Sequence, residues 1–204
     1  MVMNTPLRDD GQDDGVRQRI LAAARVEFAA HGLAAASVRT LAERAGVTAA
    51  MINYYFGGKA GLHDAVVAEA QARLYGRLAA VAGCGEETGS IPVRLALAYF
   101  DFLVEERDLQ RILLRQVLDQ GGDPHPRAPD WVAPLRQLLA THFSSRADAV
   151  DLALSLFGAI SAYFIYQPVL GSFLGEDPLG RARLAARRRH VAALVSWMER
   201  NTPC

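Results

Sequence analysis

Apolar residues recur along the chain at helical spacing. Ile20, Ala24 and Phe28 fall every four residues, in a run that begins at Val16 and meets a stop at His31-Gly32. Ser37 then stands as an N-cap before Val38, Leu41, Ala42 and Ala45, a single apolar stripe that closes at Gly46. Thr48 is the next N-cap, and the short third helix it opens, over about 48–55, is broken by Gly57-Gly58. A fourth helix starts near Lys59 and reaches about Val81. After a loop over 84–92, helical patterns cover about 92–106, 108–120, 131–143, 147–173 and 180–200, with a loop at 121–130. No stretch alternates in the manner of a strand and none repeats, so the expected fold class is all-α.

The second and third helices, joined by a tight glycine turn, predict a helix-turn-helix. On the wheel of the third, Ile52 and Phe56 point inward with Val47, while Ala50, Asn53 and Tyr54 take the opposite face. Tyr55 lies on the edge, open to either packing or exposure. A DNA-reading helix needs little bulk where it meets base edges and hydrogen-bonding groups at its flanks. Ala50 suits a thymine methyl, and Asn53 suits a base or a phosphate. Thr48, Tyr54 and Tyr55 offer hydroxyls to phosphate oxygens. Lys59, the single lysine, offers a charge.

Charge sharpens this picture. The formal net charge is zero over 204 residues, but it is unevenly spread. Residues 1–15 carry −3, residues 16–61 carry +4, and residues 62–204 carry −1. The division predicts a disordered acidic tail (1–15), a basic DNA-binding domain (16–61) and a nearly neutral helical domain (62–204). Cys84 and Cys204 make no disulfide framework, and no run of 18 apolar residues appears, so a cytoplasmic protein without a membrane partner is expected. His125, His142 and His190 lack metal-ligand spacing, and no nucleophile elbow or phosphate-cradling loop is present. No metal, cofactor or enzymatic activity is expected.

The run ILAAARVEFAAHGLAAASVRTLAERAGVTAAMINYYFGGKAGLHDAV, Ile20 to Val66, resembles the DNA-binding domain of TetR-type (TetR/AcrR) transcriptional regulators. It carries, in order, F-x-x-x-G, S-V-R-x-L-A-x-x-A-G-V, Y-Y-F and G-x-K-x-x-L. The resemblance implies that Thr48, Ala49, Ala50, Met51, Asn53, Tyr54, Tyr55 and Lys59 meet DNA, and that Ser37 and Arg39 touch the phosphate backbone. Ala49-Ala50 stand where members often have Lys-Gly, which removes a charge contact. Asn53 stands where Tyr is frequent, which alters the bases preferred.

Behind this domain the stretch 147–173 is apolar nearly all round, which predicts burial by its own core and by a second subunit. Gly158 and Ala162 permit close helix approach, and Pro168 should kink the path. The last helix aligns Leu184, Val191, Leu194, Val195 and Met198. These five, with Gly158 and Ala162, are the expected interface of a homodimer, which the resemblance also implies. Its arginines are expected on a solvated face or a dimer rim. A two-fold dimer spaces two reading helices by about 34–36 Å, one turn of DNA. Tyr99, Phe102, Trp131, Phe143, Phe157, Tyr163, Phe164 and Tyr166 are candidates for lining a ligand pocket, with plain core the alternative. Asp101 and Glu105, spaced i, i+4, face either a pocket or water, with water the expectation. The expected function is a sequence-specific repressor, released from a double-stranded operator with two-fold half-sites by a small apolar or aromatic effector. The alternative is a regulator without a small-molecule effector.

Overall fold

The computed structural model describes residues 10–83, 89–119 and 146–201, and helical spacing is realised throughout them. The elements are α1 (Asp10–Ala35), α2 (Val38–Ala45), α3 (Ala49–Phe56), α4 (Lys59–Gly83), α5 (Ile91–Glu105), α6 (Arg107–Asp119), α7 (Arg146–Ile165), α8 (Gln167–Leu174) and α9 (Arg181–Asn201). The helix expected over 131–143, the loop 121–130 and residues 1–9 of the tail lie outside the described residues.

α1 begins six residues before Val16, so residues 10–15 of the expected tail are helical. The stop at Gly32 is real. Its backbone (φ 75°, ψ 174°) breaks the helical path, and a short turn carries on to Ala35. The glycine turn after α2 follows expectation as well. Gly46 is left-handed (φ 64°), and its N–H bonds the carbonyls of Ala42 and Glu43. Pro168 sits in the first turn of α8, and the axes of α7 and α8 bend by 75° there.

The chain divides into two compact units. The first runs to Gln71 and takes in α6, so the division falls inside α4 rather than at the expected 61/62. Its core is Ile20, Ala24 and Phe28 of α1, Leu41 of α2, Ile52 of α3, Leu62 and Val66 of α4, and Leu109 and Ile112 of α6. Each large apolar side chain removed from water in this way contributes about 1.5–3 kcal/mol before entropic costs. The second unit packs α5 against α7 and α9. Tyr99, Phe100, Phe102 and Leu103 of α5 are buried there, as are Ile160 and Tyr163 of α7 and Val191 and Val195 of α9.

One buried carboxylate joins α1 to α2. Glu27 is 4% exposed, with Arg44 Nε 3.1 Å from one oxygen and His31 Nδ1 3.2 Å from the other. A carboxylate out of water needs such partners. A second pair, Arg25 to Glu69 at 2.6 Å, ties α1 to α4. Arg44→Ala should lower stability by about 1–3 kcal/mol, because it strands Glu27. Glu27→Gln combined with Arg44→Ala should recover part of that loss. Urea denaturation reads both, and an unshifted midpoint in Arg44→Ala would remove the pair from the account of α1–α2 packing.

Candidate nucleic-acid interface

α3 is built from its ends inward. The Thr48 hydroxyl oxygen accepts from the Met51 N–H at 3.4 Å, and the Gly57 N–H closes the far end on the Asn53 carbonyl. Ile52 is fully buried and anchors the helix, while Val47 and Phe56 are only half-buried. Phe56 therefore does not belong to the closed core. Its ring lies beneath the Arg17 guanidinium, 5.4 Å from the centroid. The opposite face is open: Thr48, Ala49, Ala50, Asn53 and Tyr54 are exposed, and Met51 is half-buried. On α2, Ser37 accepts from the Thr40 N–H at 3.0 Å, and the exposed Arg39 pairs with Glu43 at 3.3 Å.

Tyr55 resolves to the half-buried edge, where its hydroxyl donates to the Asp13 carboxylate. Its ring meets Tyr54 edge-on at 5.0 Å and 82°. The head of α4 presses directly on α3. A methyl group on Gly61 would lie 2.0 Å from the Phe56 carbonyl oxygen, so only glycine fits there.

Lys59 has a structural task that the sequence does not reveal. Its ammonium donates to the carbonyls of Ala36 at 2.8 Å and Ala34 at 3.3 Å, at the end of α1. Arg115 of α6 does likewise for the Ala30 carbonyl at 3.2 Å. Both cations sit where helix carbonyls lack amide partners and the dipole is negative.

In the second unit, four of the ligand-pocket candidates pack on one another or on a neighbour in the core. Tyr99 lies on Phe157 at 4.1 Å, and Phe164 meets Phe100 and Tyr163, each at 5.6 Å. Phe102 is buried, whereas Tyr166 is 61% exposed. Trp131 and Phe143 lie outside the described residues. The Tyr99 hydroxyl shares a hydrogen bond with Ser161 at 2.7 Å. Burial pushes its phenol up to about 12, against the pull of that bond, and burial also raises Tyr75. A groove of about 310 Å³ opens instead between α5 and α9, lined by Phe100, Val104, Leu179, Leu184 and Ala185 and by the charged Asp101, Arg181 and Arg188.

Asp101 and Glu105 do not simply face water. Asp101 holds Arg188 through two oxygens at 2.9 Å, and Glu105 holds Arg77, whose bond draws the carboxyl below its usual range. Arg187 also turns inward, donating to the Ala159 carbonyl over the Tyr163 ring. Burial lowers its pKa.

The expected dimer face is corrected in part. Val191 and Val195 are buried within their own unit, because that side of α9 covers α5. Leu184, Leu194, Met198 and Ala162 are half-buried, and Gly158 is exposed with nothing within 4 Å of a would-be methyl. Among the described residues of this unit, the large apolar side chains left open are Leu154 and Ile165 of α7, Tyr166, Val169 and Phe173 around α8, and Trp197 of α9.

Residues 20–66 match the family described as bacterial regulatory proteins, tetR family. No curated protein matches the chain in sequence. Solved structures share its fold. A TetR-like transcriptional regulator from a Rhodococcus species is 20% identical, with 92% of this chain and 97% of that one covered and a TM-score of 0.63. A protein of Streptomyces coelicolor described as a transcriptional regulator is 23% identical, over 90% and 97%, at 0.68. A TetR variant of Acinetobacter baumannii, in complex with minocycline, is 20% identical, over 91% and 97%, at 0.55.

Lys59→Ala should cost about 1–2 kcal/mol of stability, because it uncaps α1. It should also reduce the salt dependence of DNA binding by about one unit of slope. Thermal denaturation and binding isotherms at several salt concentrations read the two effects separately. A change in preferred sequence would argue against a backbone role.

Proposed function

We propose that this TetR-type DNA-binding regulator acts as a two-fold dimer that represses from a palindromic operator and is released by a small apolar or aromatic ligand. The observation that carries the DNA-reading part is the exposed row of Ala50, Asn53 and Tyr54 on a helix anchored by Ile52. Small and hydrogen-bonding side chains on a fixed seat suit major-groove base edges. Ser37, Arg39, Thr48 and the Lys59 charge serve the flanking phosphates, and Ala49 and Met51 meet the DNA through apolar contact.

Dimerisation accounts for apolar surface that a lone chain leaves in water. Leu154, Gly158, Ala162 and Ile165 follow one another at spacings of four, four and three along α7, and Phe173 is 87% exposed. A self-complementary patch on α7, α8 and α9 closes as an isologous pair. No helix among the described residues is by itself long and apolar enough to cross a membrane; the bent pair α7–α8 passes only when counted together.

The ligand reading rests on the open groove between α5 and α9, where Phe100, Val104, Leu179 and Leu184 offer an apolar wall beside the charges of Asp101, Arg181 and Arg188. The effector acts by preferring the dimer shape that mis-spaces the reading helices. A second reading has its own support. The aromatic candidates pack on each other, which favours a regulator without an effector at that place. Titrating apolar compounds into a protein–duplex complex, followed by fluorescence anisotropy, distinguishes the two.

Selection from random duplexes should return two half-sites related by two-fold symmetry. Asn53→Ala should relax preference at one base pair per half-site by about 1–3 kcal/mol. An unenriched pool would refute the DNA reading, and an unchanged preference would remove Asn53 from the groove. Phe173→Glu should sediment as a monomer and lose affinity for the two-half-site duplex. A dimer that persists would place the interface elsewhere.

A further inference from the structure

We propose that Asp13 is a positioning residue of the DNA interface, acting through Tyr55 on Tyr54. Asp13 precedes the segment that the family match covers. It lies in the early turns of α1, and its carboxylate accepts the hydroxyl proton of Tyr55. That proton is the only one a phenol can donate, so Tyr55 serves as a strut rather than as a phosphate donor. Held at its backbone and at its hydroxyl, the Tyr55 ring presents a fixed wall to Tyr54, 5.0 Å away at 82°. Edge-to-face pairs are directional, so a fixed Tyr55 sets the direction of Tyr54. Tyr54 is 60% exposed.

The same stretch of α1 grips α3 a second time. Arg17 is one helical turn beyond Asp13, and its guanidinium covers Phe56. Consecutive aromatic residues at the end of α3 are thus held by an acid and a base spaced i, i+4. A carboxylate beside a DNA-facing surface opposes phosphate approach. Its presence there is explained by the charge-assisted bond to Tyr55, which is stronger than a bond between neutral groups.

The inference rests on the reading of α3 as the DNA-facing helix. Its test uses the full chain and a duplex enriched from a random pool by the unmodified protein. Asp13→Asn and Asp13→Ala remove the same charge, but only Asn keeps an acceptor for Tyr55. Asp13→Ala should therefore bind that duplex about three- to tenfold more weakly than Asp13→Asn, with equal salt slopes. The ratio should fall to one when Tyr55→Phe is added, since no proton remains to be held. It should also fall to one in Tyr54→Ala, although thermal denaturation still separates the two Asp13 variants. Equal binding by the two variants, or a ratio that survives in Tyr54→Ala, would overturn the positioning role. A pool in which no duplex is enriched would overturn the DNA reading itself, which makes the two failures distinguishable.

Discussion

An α-helix of eight residues does not persist in water on its own, because nucleation consumes most of what so few hydrogen bonds return. α3 is such a helix, and the interface depends on what immobilises it. Ile52 supplies the buried anchor and Thr48 the N-terminal cap. Asp13 and Arg17 hold the two aromatic residues at its far end. Every one of these contacts lies on the side or at the ends of α3, so its outer face is left to Ala50, Asn53 and Tyr54. The surface is small and polar because the fixing groups are elsewhere.

The supports have supports of their own. α1 carries Ile20 and Phe28 into the core and reaches α2 through Glu27 and Arg44, α4 through Arg25 and Glu69. Its carbonyl end is closed by cations from α4 and α6. In the second unit the pattern differs. There, α5 is covered on one side by α9, and paired charges such as Asp101–Arg188 and Glu105–Arg77 occupy the exposed margins. Such exposed pairs contribute little energy apiece. The buried aromatic and aliphatic side chains hold that unit together.

Helix positions and caps were legible in the sequence wherever one local rule decided them. Ser37, Gly46, Thr48 and Pro168 act as their local chemistry predicts. The outward face of α3 was legible too, since an amphipathic wheel needs only one anchored residue to be oriented. Partners distant in sequence were not legible. The acidic start of the chain looks like a solvated tail until Tyr55, forty-two residues on, is brought to Asp13. Lys59 reads as a phosphate ligand alone, and its second task shows only when the carbonyls of Ala34 and Ala36 are seen to lie beneath it. In α9, two members of the apolar stripe, Val191 and Val195, turn inward. Periodicity shows that Val191 and Val195 share a side without telling whose surface covers it.

Gly61 carries a mechanical consequence. With no room for even one methyl group between the two backbones, the start of α4 cannot slide or roll over α3 without a collision. The two segments therefore behave as a single stiff bracket. α4 starts from that bracket, so the row bearing Ala50 and Asn53 is fixed in direction to the first turn of α4. A missing side chain here works as a rivet.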